Sequence, residues 1–371
     1  MSALGIVFSN IHNETVDELT RRRTSASIPF GGRYRLIDFT LSNFINSDIE
    51  TVGVLAQKNY QSLMDHVGSG KDWDLSRKNG GLVVFPPFGY YKNVDLYSNR
   101  LEALKSVLGY LGKRNEEYVV LTDCDSVNVI DYADVIEKHE ANNADITIVY
   151  INTKVKKDLV SHMAIKLDKD GRVADANLKS KEGETQNVAI NVWVINRKLL
   201  QGLIQDATLS GVKSFEKDIL LANIKSLRIY GYEYTDVYLH MNNMENYFRG
   251  NMQLLNEGIR NALFANDERR IYTKVRDSAP TRYGQNSEIE NSFIADGCDI
   301  QGKVENCILF RGVKIGKGAV VKNSILMQDT IVGAMSNLDH VVSDKNVLIK
   351  EKSNLSGCEK VPYYLGKDLV I

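Results

Sequence analysis

The stretch GIVFSNIHNET, residues 5–15, begins as a buried strand and continues into a turn that carries no glycine. Its apolar, β-branched start, Leu4 to Phe8, predicts a strand in the core of an α/β fold. Nucleotide-binding α/β proteins usually place glycines in the turn after such a strand, so that backbone N–H groups can approach phosphates. Here the turn contains asparagines, a histidine and the carboxylate of Glu14. The position therefore matches a phosphate loop, whereas the residues do not.

Strand-like and helix-like segments alternate through residues 1–240. Apolar, β-branched runs predict strands, and amphipathic stretches between them predict helices. This alternation is typical of a mixed, mostly parallel sheet with helices on both faces. The strand-like runs are 51–57, 118–123 and 144–151, and the helical stretches are 98–113 and 131–143. A longer amphipathic pattern over 239–264 predicts a single helix that leaves this domain.

Aliphatic residues recur six apart from about residue 280 onward, among Gly, Asn, Asp and Lys. A six-residue aliphatic period predicts a hexapeptide β-helix, here a left-handed parallel one, in which each coil stacks its aliphatic side chains on the next. A run of hairpins is the alternative. The repeating groups are Ile294 and Ile300, then Leu309, Ile315 and Val321, then Ile325 and Ile331. The predicted organisation is a domain over 1–240, a helical linker over 241–279 and a β-helix over 280–371.

Composition limits the class of protein. The 371 residues carry a net charge of −1 and 43% apolar side chains, as in ordinary soluble globular proteins. The near-neutral balance gives no electrostatic basis for nucleic-acid binding, and the apolar runs are too short for a membrane span. The start of the chain lacks the basic region of a signal peptide. The four cysteines show no CxxC spacing, which favours reduced thiols. We therefore expect a cytoplasmic protein that binds neither nucleic acid nor membrane.

Residues 26–75 contain PFGGRYRLIDF, GVLAQ and HVGSGKDWDL, and they closely resemble the ADP-glucose pyrophosphorylases (glucose-1-phosphate adenylyltransferases). That family joins a nucleotidyltransferase (Rossmann-like) domain to a β-helix, so the resemblance covers essentially the whole chain. It implies adenylyl transfer, in which the phosphate of glucose 1-phosphate attacks the α-phosphorus of ATP and pyrophosphate leaves. In the family, a glycine loop holds the triphosphate, two aspartates hold Mg²⁺ and lysines bind phosphates.

Most positions that carry this chemistry in the family are changed here. They fall on Asn10, Glu14, Thr15, Ser25, Leu178 and His240, while Asp125 keeps its type. Side chains replace the loop glycines, Thr15 stands for the loop arginine, and the charge of Glu14 would repel a polyphosphate. Ser25 and Leu178 take the places of two phosphate-binding lysines, although Lys179 lies one residue beyond the second. The resemblance therefore implies a nucleotide site that has lost its chemistry.

The two metal positions illustrate the change most directly. Asp125 occupies one metal aspartate and His240 the other, and imidazole is a poor ligand for a hard cation such as Mg²⁺. We expect no cofactor on this chain, with Mg²⁺ and ATP bound at a catalytic partner. The alternative is a self-sufficient nucleotidyltransferase with a divergent site that uses Asp123, Asp125 and Asp236. A hexapeptide acyltransferase would explain only the C-terminal repeats.

This pattern of losses is similar to that of the regulatory, noncatalytic (GlgD-type) subunit of the family. The resemblance implies a partner, the catalytic subunit of glucose-1-phosphate adenylyltransferase, in a heterotetramer whose product feeds glycogen synthesis. It implies a homo-oligomer when that partner is absent. The function implied for this chain is to bind and activate the catalytic subunit.

Two further segments, a basic one at residues 21–23 and a glycine-containing one at residues 31–33, each allow two interpretations. The run Arg21, Arg22 and Arg23 is either a solvated loop or a site for a sugar-phosphate effector, which Arg33 and Arg35 would extend. Gly31, Gly32 and Arg33 either keep residual nucleotide contacts or serve as scaffold.

Two aromatic segments match family motifs. Tyr90, Tyr91 and Lys92 correspond to a loop near the nucleotide, where they would stack on a base or pack at a surface. Trp193 lies on the strand that corresponds to the sugar-binding region, and we predict that it is a core residue.

Overall fold

The computed structural model describes residues 2–10, 16–87, 97 and 99–371. The chain forms two compact units, and neither is continuous in sequence. The first comprises Met1–Asn13, Phe39–Cys124 and Asn128–Asp236, and the second comprises Glu14–Asp38, Asp125–Val127 and Val237–Ile371.

Strands and helices alternate through the N-terminal two thirds of the chain, as predicted. The strands are β1 (Ala3–Phe8), β2 (Pro29–Phe30), β3 (Tyr34–Arg35), β4 (Thr51–Leu55), β5 (Gly81–Phe85), β6 (Tyr118–Asp123), β7 (Ser126–Val127), β8 (Ile146–Lys154), β9 (Ala164–Leu167), β10 (Val173–Asn177), β11 (Thr185–Asn196), β12 (Ile229–Glu233) and β13 (Leu239–His240). The helices are α1 (Asp17–Thr20), α2 (Leu36–Ile45), α3 (Gln61–Val67), α4 (Arg100–Ser106), α5 (Leu108–Gly112), α6 (Tyr132–Ala141), α7 (Arg197–Leu209), α8 (Met244–Met252) and α9 (Glu257–Phe264).

The first unit is built on a nine-stranded mixed sheet. Its path is β10-β9-β11-β6-β1-β4-β5, and β8 joins it by pairing with β11 and β12. Strands β6, β1, β4 and β5 are mutually parallel, whereas β11 runs antiparallel to β6. Because β1 is buried along almost its whole length, both of its faces carry apolar side chains. The predicted nucleotidyltransferase-type mixed sheet is confirmed.

The second unit contains the predicted left-handed parallel β-helix. Three five-stranded sheets have the orders β14-β17-β20-β23-β26, β15-β18-β21-β24-β27 and β16-β19-β22-β25-β28, and all pairs within them are parallel. Parallel pairing excludes the alternative of hairpins. The strands are β14 (Arg282–Tyr283), β15 (Glu288–Glu290), β16 (Phe293–Ile294), β17 (Asp299–Ile300), β18 (Lys303–Glu305), β19 (Ile308–Leu309), β20 (Lys314–Ile315), β21 (Val320–Lys322), β22 (Ile325–Leu326), β23 (Ile331–Val332), β24 (Asn337–Asp339), β25 (Val341–Ser343), β26 (Leu348–Ile349), β27 (Asn354–Ser356) and β28 (Tyr363–Leu365).

Aliphatic side chains stack through the axis of the β-helix. Ile300, Ile315, Val332 and Ile349 follow one another in register and are buried. The prediction that Ile331 belongs to this interior is wrong, because Ile331 precedes Val332 on β23 and neighbouring residues of a strand face opposite sides. Ile331 lies on the outer face and is 38% exposed.

One corner of the β-helix is formed by asparagines in the left-handed backbone region. Asn291, Asn306 and Asn323 have φ values of 39°, 52° and 45°, and His340 continues the column with a φ of 53°. The amide Nδ2 of each asparagine donates to the next coil, ending on Asp339 Oδ1. Asparagine tolerates this conformation better than most residues, so the column marks where each coil turns.

The single helix predicted over 239–264 is wrong. Its first residues form β13, and the rest divides into α8 and α9, with a 3₁₀ turn at Gln253–Leu255 between them. Asn243 Oδ1 accepts from Asn246 N and caps α8, and Asn256 Oδ1 accepts from Ile259 N and caps α9. An asparagine N-cap starts a new helix because its side chain satisfies an amide that has no partner within the helix.

Candidate functional site

The turn after β1 begins with Ser9 and Asn10. Ser9 closes the end of β1 against β4, because its amide and its hydroxyl both donate to Leu55 O, over 3.1 and 2.7 Å. Asn10 follows in a half-buried bend. The predictions for Glu14, Thr15, Tyr90, Tyr91 and Lys92 concern positions outside the described residues.

A buried arginine contacts the carboxyl ends of β1 and β6, the edge at which open α/β sheets usually bind ligands. Arg100 is the first residue of α4, and its Nη2 lies 2.5 Å from Asp123 Oδ2. Glu216 forms a second ion pair with the same guanidinium group. The guanidinium carbon lies 4.6 Å from the ring centre of Trp193 and 5.4 Å from that of Phe8. Arg100 therefore has two carboxylates and two aromatic rings as partners within the first unit.

The Arg100 cluster determines what Asp123 can do. A charge-assisted hydrogen bond between buried groups is strong, and removing either partner leaves a buried charge without compensation. Asp123 therefore neutralises an internal cation rather than offering a vacant carboxylate to a metal ion. Trp193 is fully buried, which confirms it as a core residue. Nothing in the sequence singles out Arg100, because its partners lie far away along the chain.

The two positions assigned to metal aspartates lie side by side in the second unit. Strand β7 pairs antiparallel with β13, and this pairing places Ser126 opposite His240. His240 Nε2 lies 3.3 Å from Asp125 Oδ2, and both side chains are almost completely buried. The ring of Tyr238 is nearly parallel to the imidazole of His240, at 15° and 6.2 Å between centres. With its proton on Nε2, His240 donates to the carboxylate.

This pair does not fit the magnesium site that the family implies. Mg²⁺ requires oxygen ligands in near-octahedral geometry, and the second carboxylate is replaced here by an imidazole that engages Asp125. Within 2–10, 16–87, 97 and 99–371, no three or more His, Cys, Asp or Glu side chains are placed to hold a metal ion. Asp236, the substitute ligand of the alternative hypothesis, is exposed in a bend after β12.

Uncharged residues stand at the two positions where the family has phosphate-binding lysines. Ser25 is buried in a 3₁₀ turn over Ser25–Ser27. Leu178 is exposed just after β10, and Lys179 beside it is also exposed. Asn191 stands where the family has a glycine, and it keeps a φ of 58° at a bulge of β11. Glycine adopts a positive φ freely and asparagine tolerates it, so the replacement fits the backbone at this position.

The three consecutive arginines have different environments. Arg21 and Arg22 are exposed, and Arg22 pairs with Asp368 at the surface. Arg23 is buried, and its Nη2 lies 2.7 and 2.8 Å from the two carboxylate oxygens of Asp344. Tyr364 Oη lies 3.2 Å from Asp344 Oδ2. Only the third arginine is therefore part of a built charge cluster.

Lys345 adds a further cation to this cluster. Its amide donates to Asp344 Oδ1, and the pKa of its half-buried side chain is lowered to about 7. Burial is the main cause, and the positive charges of Arg35, Arg23 and Arg276 add to it. Because Arg23 already neutralises Asp344, this region has an excess of positive charge. Lys345 could not be linked to this cluster from the sequence, because it lies more than 300 residues from Arg23 along the chain.

Gly31 and Gly32 form the turn between β2 and β3, with φ values of 57° and 80°. Gly31 N donates to Asn251 Oδ1 over 3.0 Å. A Cβ at Gly31 would lie 3.0 Å from Leu254 Cδ1, so the turn packs closely against its own chain. Arg33 is exposed and lies over the ring of Tyr34. These contacts favour the scaffold interpretation of the segment.

None of the helices in the described ranges is long and apolar enough to cross a membrane. Two family models match the chain. The nucleotidyl transferase family covers residues 15–250, and the GlmU-like C-terminal hexapeptide family covers residues 277–359.

The chain is also similar to named bacterial proteins over most of its length. It is 33% identical to the glycogen biosynthesis protein GlgD of Bacillus subtilis, over 99% of this chain and 96% of that protein. It is 31% identical to the glucose-1-phosphate adenylyltransferase of Clostridium perfringens, over 95% and 91% of the two chains. It is 33% identical to the corresponding enzyme of Geobacillus stearothermophilus, over 82% and 79%.

Proposed function

The chain belongs to the glucose-1-phosphate adenylyltransferase (ADP-glucose pyrophosphorylase) family, within its GlgD type, and from that premise we propose that it is a regulatory subunit without adenylyltransferase activity of its own. In this proposal it binds the catalytic subunit in a cytoplasmic heterotetramer and raises the rate of ADP-glucose synthesis for glycogen. Mg²⁺ and ATP are then bound by the catalytic partner.

The observation that carries this proposal is the pairing of Asp125 with His240. Phosphoryl and nucleotidyl transfer depend on positioned cations that neutralise developing charge. Here the imidazole occupies the place of the second carboxylate, and the remaining carboxylate bonds to it over 3.3 Å. The engagement of Asp123 by Arg100 and the uncharged Ser25 and Leu178 point in the same direction. They also weigh against the self-sufficient enzyme, which needs Asp123 and Asp125 as metal ligands.

The outer face of the β-helix offers a surface for the proposed partner. In the sheet β14-β17-β20-β23-β26, the last two coils present Ile331 and Leu348 side by side, and Val370 bridges to Leu348. All three side chains are exposed. Contiguous exposed apolar side chains commonly mark a protein–protein interface. We name this row the aliphatic row.

ADP-glucose synthesis by the purified chain, by the catalytic subunit of the same organism and by their co-purified complex tests the proposal. We expect no synthesis by the chain alone and a higher rate for the complex than for the catalytic subunit. The complex containing an Asp125→Asn chain serves as a control and should keep the stimulated rate. Synthesis by the chain alone that Asp125→Asn abolishes would establish the self-sufficient enzyme instead.

As part of the same proposal, the cluster of Arg23, Arg35, Arg276 and Lys345 binds a sugar-phosphate effector. A bound phosphate would favour the charged form of Lys345 and raise its pKa above the value of about 7 in the free protein. Binding then takes up a proton, so the affinity falls as pH rises above about 7 and levels off above the pKa of the complex.

The pH dependence of glucose 6-phosphate binding, measured by calorimetry, checks this prediction. We expect the affinity to fall by about fourfold from pH 7 to pH 8.5, the change that follows when binding raises the pKa by roughly one unit from about 7. Lys345→Met should bind more weakly and lose this dependence, whereas Arg22→Met, at an exposed ion pair, should retain it. Equal affinity of the unmodified chain at both pH values would contradict the role of Lys345.

A further inference from the structure

A pocket of about 320 Å³ lies within the second unit, on the side of α8 that faces the asparagine corner. Phe248, Met252 and Leu255 supply apolar surface from the helical side. The polar lining consists of Arg249, Gln253, Asn306, Asn323, His340 and Glu359. Its volume is at the lower end of the range for small-molecule sites. None of these residues belongs to the nucleotide positions or to the Arg23 cluster.

We propose that this pocket binds a neutral sugar ring. The charge of the pocket disfavours a phosphate, because Arg249 already pairs with Glu245, 3.8 Å from its Nη1, and the carboxylate of Glu359 also lines the pocket. The other polar groups are mainly amides, which both donate and accept hydrogen bonds. A hydroxyl-rich ligand has the same dual character, whereas a phosphate only accepts.

The arrangement of polar groups distinguishes a sugar from a flat nucleobase. Gln253 comes from the turn after α8, Asn306 and Asn323 come from successive coils, and Glu359 comes from the loop before β28. A nucleobase carries its polar groups only along the edge of one plane. A pyranose carries hydroxyls around its ring and an apolar C–H face, so it can meet several segments and an apolar wall at once.

The pocket is organised before a ligand arrives. Asn306 Oδ1 accepts from Asn291 over 2.7 Å, and Asn323 Nδ2 donates to Asp339 over 2.9 Å, so both amides have fixed orientations. The ring of His340 packs against Phe248, with centres 5.8 Å apart and planes at 32°. Each amide nitrogen has a second hydrogen to donate. Groups held in place in this way lose little conformational freedom on binding.

Two polar side chains that line the pocket are not engaged in intramolecular polar contacts within the described residues. In the described part of the chain, the side chains of Gln253 and Glu359 make no hydrogen bond or ion pair. They can therefore accept a ligand hydroxyl without breaking an existing contact. Replacing either one should leave the fold intact, which makes both suitable for a test.

Isothermal titration calorimetry of the full chain with maltose tests the proposal. We expect a dissociation constant of about 0.1–10 mM, as for a small and open site. Gln253→Ala and Glu359→Ala should each weaken binding by about three- to tenfold, the effect of one hydrogen bond. Glu351→Ala changes an exposed glutamate in another turn of the β-helix and should bind maltose like the unmodified chain.

Adenosine and inorganic phosphate are titrated in parallel, and we expect neither to compete with maltose. Three results would overturn the proposal: no maltose binding up to about 50 mM, maltose binding that is unchanged in the Gln253→Ala/Glu359→Ala double variant, or displacement of maltose by adenosine. The double variant should keep its thermal unfolding midpoint, so that a loss of binding is not a loss of fold.

Discussion

Replacing Arg23 by methionine should lower the free energy of unfolding by about 3–5 kcal/mol, the effect of breaking a buried ion pair. The side chains of Arg23 and Asp344 are each only 4% exposed. Methionine fills much of the arginine volume but leaves the Asp344 carboxylate buried without its cation. The burial of that uncompensated charge, rather than the loss of attraction, accounts for most of the expected effect.

Denaturant-induced unfolding provides the measurement, and the neighbouring arginine provides the control. Arg22 pairs with Asp368 at the surface, where the two side chains are 64% and 49% exposed, so Arg22→Met should cost no more than about 1 kcal/mol. The Arg23→Met/Asp344→Asn double variant should recover part of the lost free energy of unfolding, because it also removes the buried carboxylate charge of Asp344. If Arg23→Met and Arg22→Met were equally stable, the buried pair would not support the second unit as described.

The second large effect concerns the aliphatic row. Ile331→Asp combined with Leu348→Asp should weaken binding to the catalytic subunit by at least about a hundredfold. Each side chain is 38% exposed in the free chain, so burying the remaining surface of both contributes roughly 1–2 kcal/mol, about five- to thirtyfold in affinity. Two carboxylates in the interface would add a desolvation penalty. Stimulation of ADP-glucose synthesis should be lost in parallel.

Sedimentation of the mixed subunits, with the rate of ADP-glucose synthesis, measures this effect. Both positions are on the outer face, so the variant should fold, and its unfolding midpoint checks that it does. Lys314 lies beside Ile331 in the same sheet, and Lys314→Asp introduces one carboxylate outside the aliphatic row. We expect that variant to form the complex. Complex formation by the Ile331→Asp/Leu348→Asp variant would show that the partner binds another surface.

The sequence predicted those features that depend on the spacing of residues along the chain, namely the positions of family motifs and the period of the β-helix. Counting from the family motifs assigned Asp125 and His240 to one site, and the pairing of β7 with β13 brings them together. The six-residue period identified the β-helix because each coil must bury an aliphatic residue at the same height. The six-residue spacing was counted one position early at Ile325 and Ile331, since the interior residues of those strands are Leu326 and Val332, which are also six apart.

Charge clusters could not be predicted from local pattern. Arg100 meets Asp123 and Glu216, which lie 23 and 116 residues away, and nothing in its own segment distinguishes it from a surface arginine. Lys345 is similarly ordinary in sequence, and its low pKa depends first on burial and then on arginines that folding brings near it. The break between α8 and α9 did have a local signal, since Asn243 and Asn256 are favourable N-cap residues.

The ion pair between Arg23 and Asp344 cannot form until the ribosome has translated both residues. The two residues are 321 positions apart, yet they belong to the same compact unit. At roughly 5–20 residues per second, the ribosome needs about 15–65 s to make the second partner after the first. Throughout that interval the segment around Arg23 has emerged without the aspartate that neutralises it. The newly made chain therefore passes through a long stage in which an essential contact of its second unit cannot form, and holding chaperones would have most to protect at this stage.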